Sequence, residues 1–186
     1  MKVAMQFLIQ ACGLSTLLVS GVADAAEQGW LRYVNARYRY HLCYPTTLKA
    51  QPEAPNGDGR VFHAADGGSL TVFGRNDVLH DGIDATAKDI ASRLAGRGGR
   101  TSYAAGRENW RVVSGTDRAG NIFYSKILRR DDQFAIVELR YPANAPRYRL
   151  IATRISTCFA MLNLSMRFRT GRVVAVQVPT AHDGFE

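Results

Sequence analysis

Asp77, His80, Asp81 and Asp84 are residue types that hard or borderline cations accept, and His80 and Asp84 would meet on one helical turn. The same acids also suit the start of a helix, with Asp84 capping the first orphan amides. The set is not closed, so no metal and no other cofactor is expected. His63 and Asp66 flank an Asp66-Gly67 turn, which is ordinary turn chemistry. Ser114 stands in Val112-Val113-Ser114-Gly115, without the preceding glycine of a nucleophile elbow. Gly96, Gly98 and Gly99 follow a helical stretch instead of opening one, so they read as a helix stop and not as a phosphate loop. No catalytic residue is assigned.

The remaining constellation is Arg37, Arg39 and His41, which alternate along an extended segment. On one strand face two such guanidiniums stand about 7 Å apart, close enough to grip a carboxylate or phosphate. His41 would make that grip pH-dependent. These three are the candidate ligand-binding residues; the competing reading is a solvated outer face.

The elements that must carry these residues follow from periodicity. Arg37 to Tyr44 alternates as a strand, with Tyr38, Tyr40, Leu42 and Tyr44 on the apolar side, and Pro45 stops it. Residues 26–36 lead in. Arg60 to Ala64 and Ser69 to Phe73 form a hairpin about Asp66-Gly67-Gly68. Ile83, Ala87, Ile90 and Leu94 define an apolar stripe on a helix over about 85–95. Trp110 to Ser114, Asn121 to Leu128 and Gln133 to Tyr141 form a meander. In the last of these, Ala135, Val137 and Leu139 face one way and Phe134 and Ile136 the other, the pattern of a central strand covered on both faces. A second helix is expected from about Arg147 to Leu164, with Ile151, Ile155, Cys158, Phe159 and Leu162 inward. Val173 to Val178 is a candidate edge strand. The order predicts an α+β fold, an antiparallel sheet with helices packed on it.

The first residues read as an export signal. Lys2 precedes an apolar run from Val3 to Val22, which ends at Ala23-Asp24-Ala25, small residues where a signal peptidase reads. Cleavage after Ala25 is the expectation; a retained anchor, or a lipid-anchored start at Cys12, are the alternatives. The expected organisation is a signal peptide at 1–25, one domain at 26–166 and a C-terminal extension at 167–186. The mature chain then works in the periplasm or outside the cell. Its two remaining cysteines, Cys43 and Cys158, read as one disulfide in an oxidising compartment, with two separate buried thiols as the alternative. Hydrophobic residues make up 46% of the chain and charged ones 22%, a globular balance, and the mature part contains no membrane span.

The net charge is +8, carried by 20 arginines and 4 lysines. Three readings fit this surplus: a GC-rich genome writing arginine on a solvated surface, attraction to an anionic envelope component, or nucleic acid. Export and the lack of a nucleic-acid motif argue against the third.

The run Tyr38-Arg39-Tyr40-His41-Leu42-Cys43-Tyr44-Pro45 resembles the opening of PsbP-like domains. So do Ile122-Phe123-Tyr124-Ser125-Lys126, the strand from Phe134 to Pro142, and the closing helix. The chain is also similar to small secreted proteobacterial proteins. The resemblance covers about residues 33–160 and rests on fold-determining aromatics and turns. It implies an αβα sandwich that serves as a binding or assembly accessory, and it supplies no catalytic motif. Fold does not fix function. The reading is a non-catalytic binding or protein-interaction module whose partner is an anionic envelope component or another exported protein. A small secreted hydrolase using His41 or His63 with a serine, or an inhibitor or immunity-type protein, are the alternatives.

Overall fold

A computed structural model describes residues 29–162 and the backbone of the strands Leu164–Arg169 and Arg172–Gln177. The expected signal peptide, its cleavage site, Cys12 and the end of the C-terminal extension lie outside the described residues.

Strand β1 (Trp30–Asn35) pairs antiparallel with β2 (Tyr40–Pro45). This corrects the expected lead-in at 26–36 and the expected strand start at Arg37. Residues 36–39 form the turn between β1 and β2, closed by Asn35, whose Oδ1 accepts the Tyr38 amide at 2.8 Å. The four-residue turn moves burial from odd positions in β1 (Tyr33, Asn35) to even positions in β2, and the turn residue Tyr38 already falls on the even set. Tyr38 is buried from the turn, as Tyr40, Leu42 and Tyr44 are from the strand.

Strands β3 (Lys49–Ala50), β4 (Gly59–His63) and β5 (Ser69–Asn76) form one side of a seven-stranded antiparallel sheet. Helix α1 (Gly82–Ala95) follows. Four further strands complete the sheet: β6 (Arg100–Arg107), β7 (Trp110–Thr116), β8 (Ile122–Arg130) and β9 (Gln133–Tyr141). The order is β3-β4-β5-β9-β8-β7-β6, so β9 is central, as its two apolar faces require. Phe134 and Ile136 pack under α1 with Ile83, Ile90, Phe123 and Ile127. Ala135, Val137 and Leu139 face the other core, with Tyr40, Leu42, Phe62 and Ile155.

Helix α2 (Arg147–Cys158) lies on that second face and ends six residues short of the expected Leu164. Phe159 is extended, and the chain enters β10 (Ala160–Met161), which pairs with β2. The layer opposite α1 is therefore a helix together with the three-stranded sheet β1-β2-β10. The expected packing of helices on an antiparallel sheet holds in this coarse form. Strands β11 (Leu164–Arg169) and β12 (Arg172–Gln177) pair with each other. The candidate edge strand at 173–178 is one arm of this hairpin.

The β10–β2 register sets Ala160 opposite His41. Extended by two residues, it sets Cys158 opposite Cys43. These two cysteines form the expected disulfide, with Cα atoms 5.7 Å apart, inside the usual bridging range. Arg154 adds a second tie, its guanidinium lying 4.4 Å above the Trp30 ring.

Asp117 holds the β7–β8 turn. Its buried carboxylate accepts the amides of Ala119 and Asn121, both at 2.9 Å, and stands 3.3 Å from Arg140. Burial alone would raise its pKa, but the hydrogen bonds from Asn121 and Ala119 and the Arg140 charge hold it below the ordinary 3.8. A depressed carboxyl stabilises the fold above its unfolded pKa and stops doing so as pH falls through its folded one. Asp117→Ala is expected to cost about 2 kcal/mol at pH 7, the worth of hydrogen bonds to a charged group. Urea unfolding should show the two proteins converging below the ordinary carboxyl range; a constant gap at every pH would refute this account.

Candidate functional site: a cationic aromatic groove beside α2

The face of β7 and β8 that looks toward α2 is only partly covered. Cross-strand register fixes what it presents: Val112 lies opposite Lys126, and Ser114 opposite Tyr124. On the outer side, Tyr103 of β6 lies opposite Ser114. Helix α2 passes over β9 and leaves a groove of about 530 Å³ between itself and this part of the sheet. Its floor includes Tyr103, Trp110, Tyr124 and Lys126. Its wall is the α2 stripe Arg149, Thr153 and Ser156, spaced by four and three residues, a quarter-turn away from the core stripe Tyr148, Ile151 and Ile155.

Lys126 is the chemical centre of the groove. Its neighbour in β9 is the fully buried Val137, and burial lowers its pKa. The ammonium donates to the Ser156 carbonyl at 2.7 Å, one of the last four carbonyls of α2, which lack helical partners. An ammonium carries three donors. Among the described residues no carboxylate stands within ion-pair distance of it, and no acidic residue lines the groove. Beside it the buried Tyr124 hydroxyl lies near Ser156 and completes no hydrogen bond of good geometry. Burial raises the Tyr124 pKa, so the hydroxyl keeps its proton and remains a donor. At the mouth, Arg149 and the half-exposed Tyr103 add a cation and a flat apolar surface.

Two threonine hydroxyls of the groove and the nearby Ser114 are engaged by main chain. Thr153 donates to the Arg149 carbonyl at 3.0 Å and Thr157 to that of Thr153 at 3.1 Å. Ser114 donates to the Phe123 carbonyl at 2.7 Å. Among the described residues no serine is hydrogen-bonded to a histidine, as the activated nucleophile of a hydrolase would be. His63 is exposed at the end of β4, opposite Ser69 and without a bond to it.

The basic residues expected on one strand face do not share one. Arg37 and Arg39 belong to the β1–β2 turn, and His41 to β2. Arg37 donates to the Asn56 carbonyl and lies over the Tyr38 ring; Arg39 has φ of 52°. The His41 pKa is lowered by burial and by Arg32, which keeps the ring neutral. Strand alternation across a turn produced the mistaken face.

The acidic set is also taken up locally. Asp77 accepts the Gly82 amide at 3.1 Å, so Asp77 and not Asp84 serves the first turn of α1. Asp84 pairs with Arg111, at 2.6 Å and 3.0 Å. His80 lies 3.8 Å from Asp132. Among the described residues no three His, Cys, Asp or Glu side chains are grouped to share an ion.

Lys126 was not singled out from the sequence. The available signal was a lysine at an apolar-facing position of a strand in an arginine-rich chain, within Tyr124-Ser125-Lys126-Ile127.

The fold is PsbP-like, an α+β arrangement in which helices pack on an antiparallel sheet. It is similar to the cyanobacterial PsbP (CyanoP) of Synechocystis sp. PCC 6803, with a TM-score of 0.56 and 11% identity over 82% of this chain and 98% of that one. A weaker likeness, with a TM-score of 0.40 and 12% identity over 74% of this chain and 87% of the other, links it to LpqN of Mycobacterium tuberculosis, described as involved in cell envelope biogenesis. No family model matches the sequence, and no curated protein matches it.

Proposed function

We propose that this chain is a non-catalytic binding module that works in the periplasm or outside the cell and takes an anionic, flat or apolar group in the groove beside α2. One observation carries the reading: a half-buried ammonium, Lys126, on a floor it shares with aromatic side chains and with no carboxylate partner among the described residues. Charge buried without a counter-ion is costly, and a ligand anion relieves that cost. Tyr124 would donate a second hydrogen bond, and Tyr103 and Trp110 would cover the ligand's apolar part. Arg37, Arg39 and Arg149 add to the positive field that draws such a partner in. The disulfide supports export to an oxidising compartment, and with it a signal peptide at 1–25 ahead of one domain. No helix among the described residues is long and apolar enough to cross a membrane.

The probe 8-anilinonaphthalene-1-sulfonate joins a sulfonate to aromatic rings and suits this groove. The folded chain is expected to bind it saturably at one site, quenching Trp110. Lys126→Gln should weaken that binding about tenfold, the loss of one charge-assisted hydrogen bond of about 1.5 kcal/mol. Arg149→Gln, at the exposed mouth, should weaken it less and reduce its salt dependence. Binding that does not saturate, or that Lys126→Gln leaves unchanged, overturns the reading.

A further inference from the structure

The two edges of the seven-stranded sheet are unlike. One ends in β3, two residues long; the other ends in β6, eight residues long. Among the described residues nothing pairs with the outer side of β6. Long edges are ordinarily blocked by proline, by an inward charge, by a bulge or by a covering segment. Here a register shift of the bulge kind lies between Thr101 and Tyr103, at one end of the edge, and beyond it Tyr103-Ala104-Ala105-Gly106 carries no proline, charge or covering segment among the described residues.

Both faces of this edge are also open. On one side is the groove just described, reached through Tyr103. On the other, between α1 and β6, is a second cleft of about 510 Å³, lined by Ala87, Lys88, Ala91 and Ser92 of the helix and by Ala104 of the strand. A strand added to β6 would send alternate side chains to the two faces, one set into each cleft.

The charge pattern selects the occupant. If a second copy paired through β6, antiparallel about Tyr103 and Ala104, Arg100 would lie opposite the second copy's Arg107 at both ends. Like charges directly opposite destabilise a strand pair. An acidic residue at each end reverses the sign. Lys88 and Lys126 in the two clefts add to the positive field around this edge without facing the acidic ends, and the nearby Asp84 is already held by Arg111.

We propose that β6 accepts an extended peptide segment of a partner protein as an eighth strand, with acidic residues at its two ends and small or β-branched residues between them. This rests on the groove as the recognition site and names what enters it.

The test uses the full oxidised chain and a set of eight-residue peptides with glutamate at both ends and alternating threonine and valine between, titrated by calorimetry. Each is made unmodified and with either alternate set of backbone amides N-methylated. A strand bonded along one edge loses binding when one set is methylated, by about tenfold or more for several lost hydrogen bonds, and tolerates the other set within about twofold. Arg100→Glu combined with Arg107→Glu should weaken the glutamate-ended peptides by a similar factor and favour lysine-ended ones. Equal sensitivity to both methylation patterns overturns the inference. So does a failure of every peptide to bind while the sulfonate probe still binds, and that result leaves the groove reading standing. A concentration-dependent dimer broken by Ala104→Pro also overturns it, because the edge would then belong to a second copy.

Discussion

Replacing Cys43 and Cys158 together by serine is expected to lower the unfolding free energy by about 4 to 5 kcal/mol. The bridge joins positions 115 residues apart in sequence. In the chain-entropy account a closed loop of about 100 residues is worth about 4.7 kcal/mol, mostly by restricting the unfolded chain. The folded side of the balance changes little, because the two Cα atoms already face each other in the β2–β10 register. A loss of that size rivals the whole stability of a marginal domain, about 5 kcal/mol. Urea unfolding of the oxidised parent against the double variant measures it. A difference below about 1 kcal/mol would mean that the unfolded chain is already restricted in another way. Thiol titration of the unreduced, denatured protein supplies the independent check, since neither Cys43 nor Cys158 should react.

Gly74→Ala is the second large expected loss, about 3 kcal/mol. Gly74 lies on β5, and a Cβ there would overlap Cβ and Cγ of Tyr38, which the β1–β2 turn lowers onto it. Overlap with the base of a side chain cannot be relieved by rotating its tip, so the turn itself must rise. Overpacking of a fixed core costs about 1 to 3 kcal/mol, and this site belongs at the upper end. The two residues should also couple. In Tyr38→Gly, which removes both overlapping atoms, the added methyl group has room, so the double variant should cost clearly less than the sum of the singles. Additive losses would show that Tyr38 is not what excludes a side chain from position 74.

The fold was legible where a pattern is local and repeats. The stripe Ile83, Ala87, Ile90 and Leu94 marked α1, and the two-sided strand from Gln133 to Tyr141 marked the centre of the sheet. Helix bounds were less legible. Ile155 and Leu162 fit one helical stripe, yet the helix stops at Cys158 because the chain beyond it pairs with β2, and no residue nearby announces that partner. Strand β6 was missed entirely, because an exposed edge strand buries nothing and so shows no apolar alternation.

The candidate site was less legible still. Arg37, Arg39 and His41 stood out because they are neighbours in sequence, while Lys126 looked like one more charge in a strand. What makes Lys126 unusual is its surroundings, set by distant segments: Val137 beside it, α2 above it, and no acid among the residues that line the same groove.

By itself the amino-acid sequence determined the secondary-structure class, the central strand and the basic balance, and it narrowed Cys43 and Cys158 to one bridge or two separate thiols. Each of these depends on periodicity, on composition, or on a choice between very few partners. Only the tertiary structure decided that residues 36–39 are a turn and that α2 shares its layer with a small sheet, and that among the described residues a lysine has no counter-ion in an aromatic groove and one sheet edge has no partner. Those outcomes depend on which distant segments pack together, and desolvation, ion pairing and edge exposure are properties of the packed neighbours and not of any one stretch of chain.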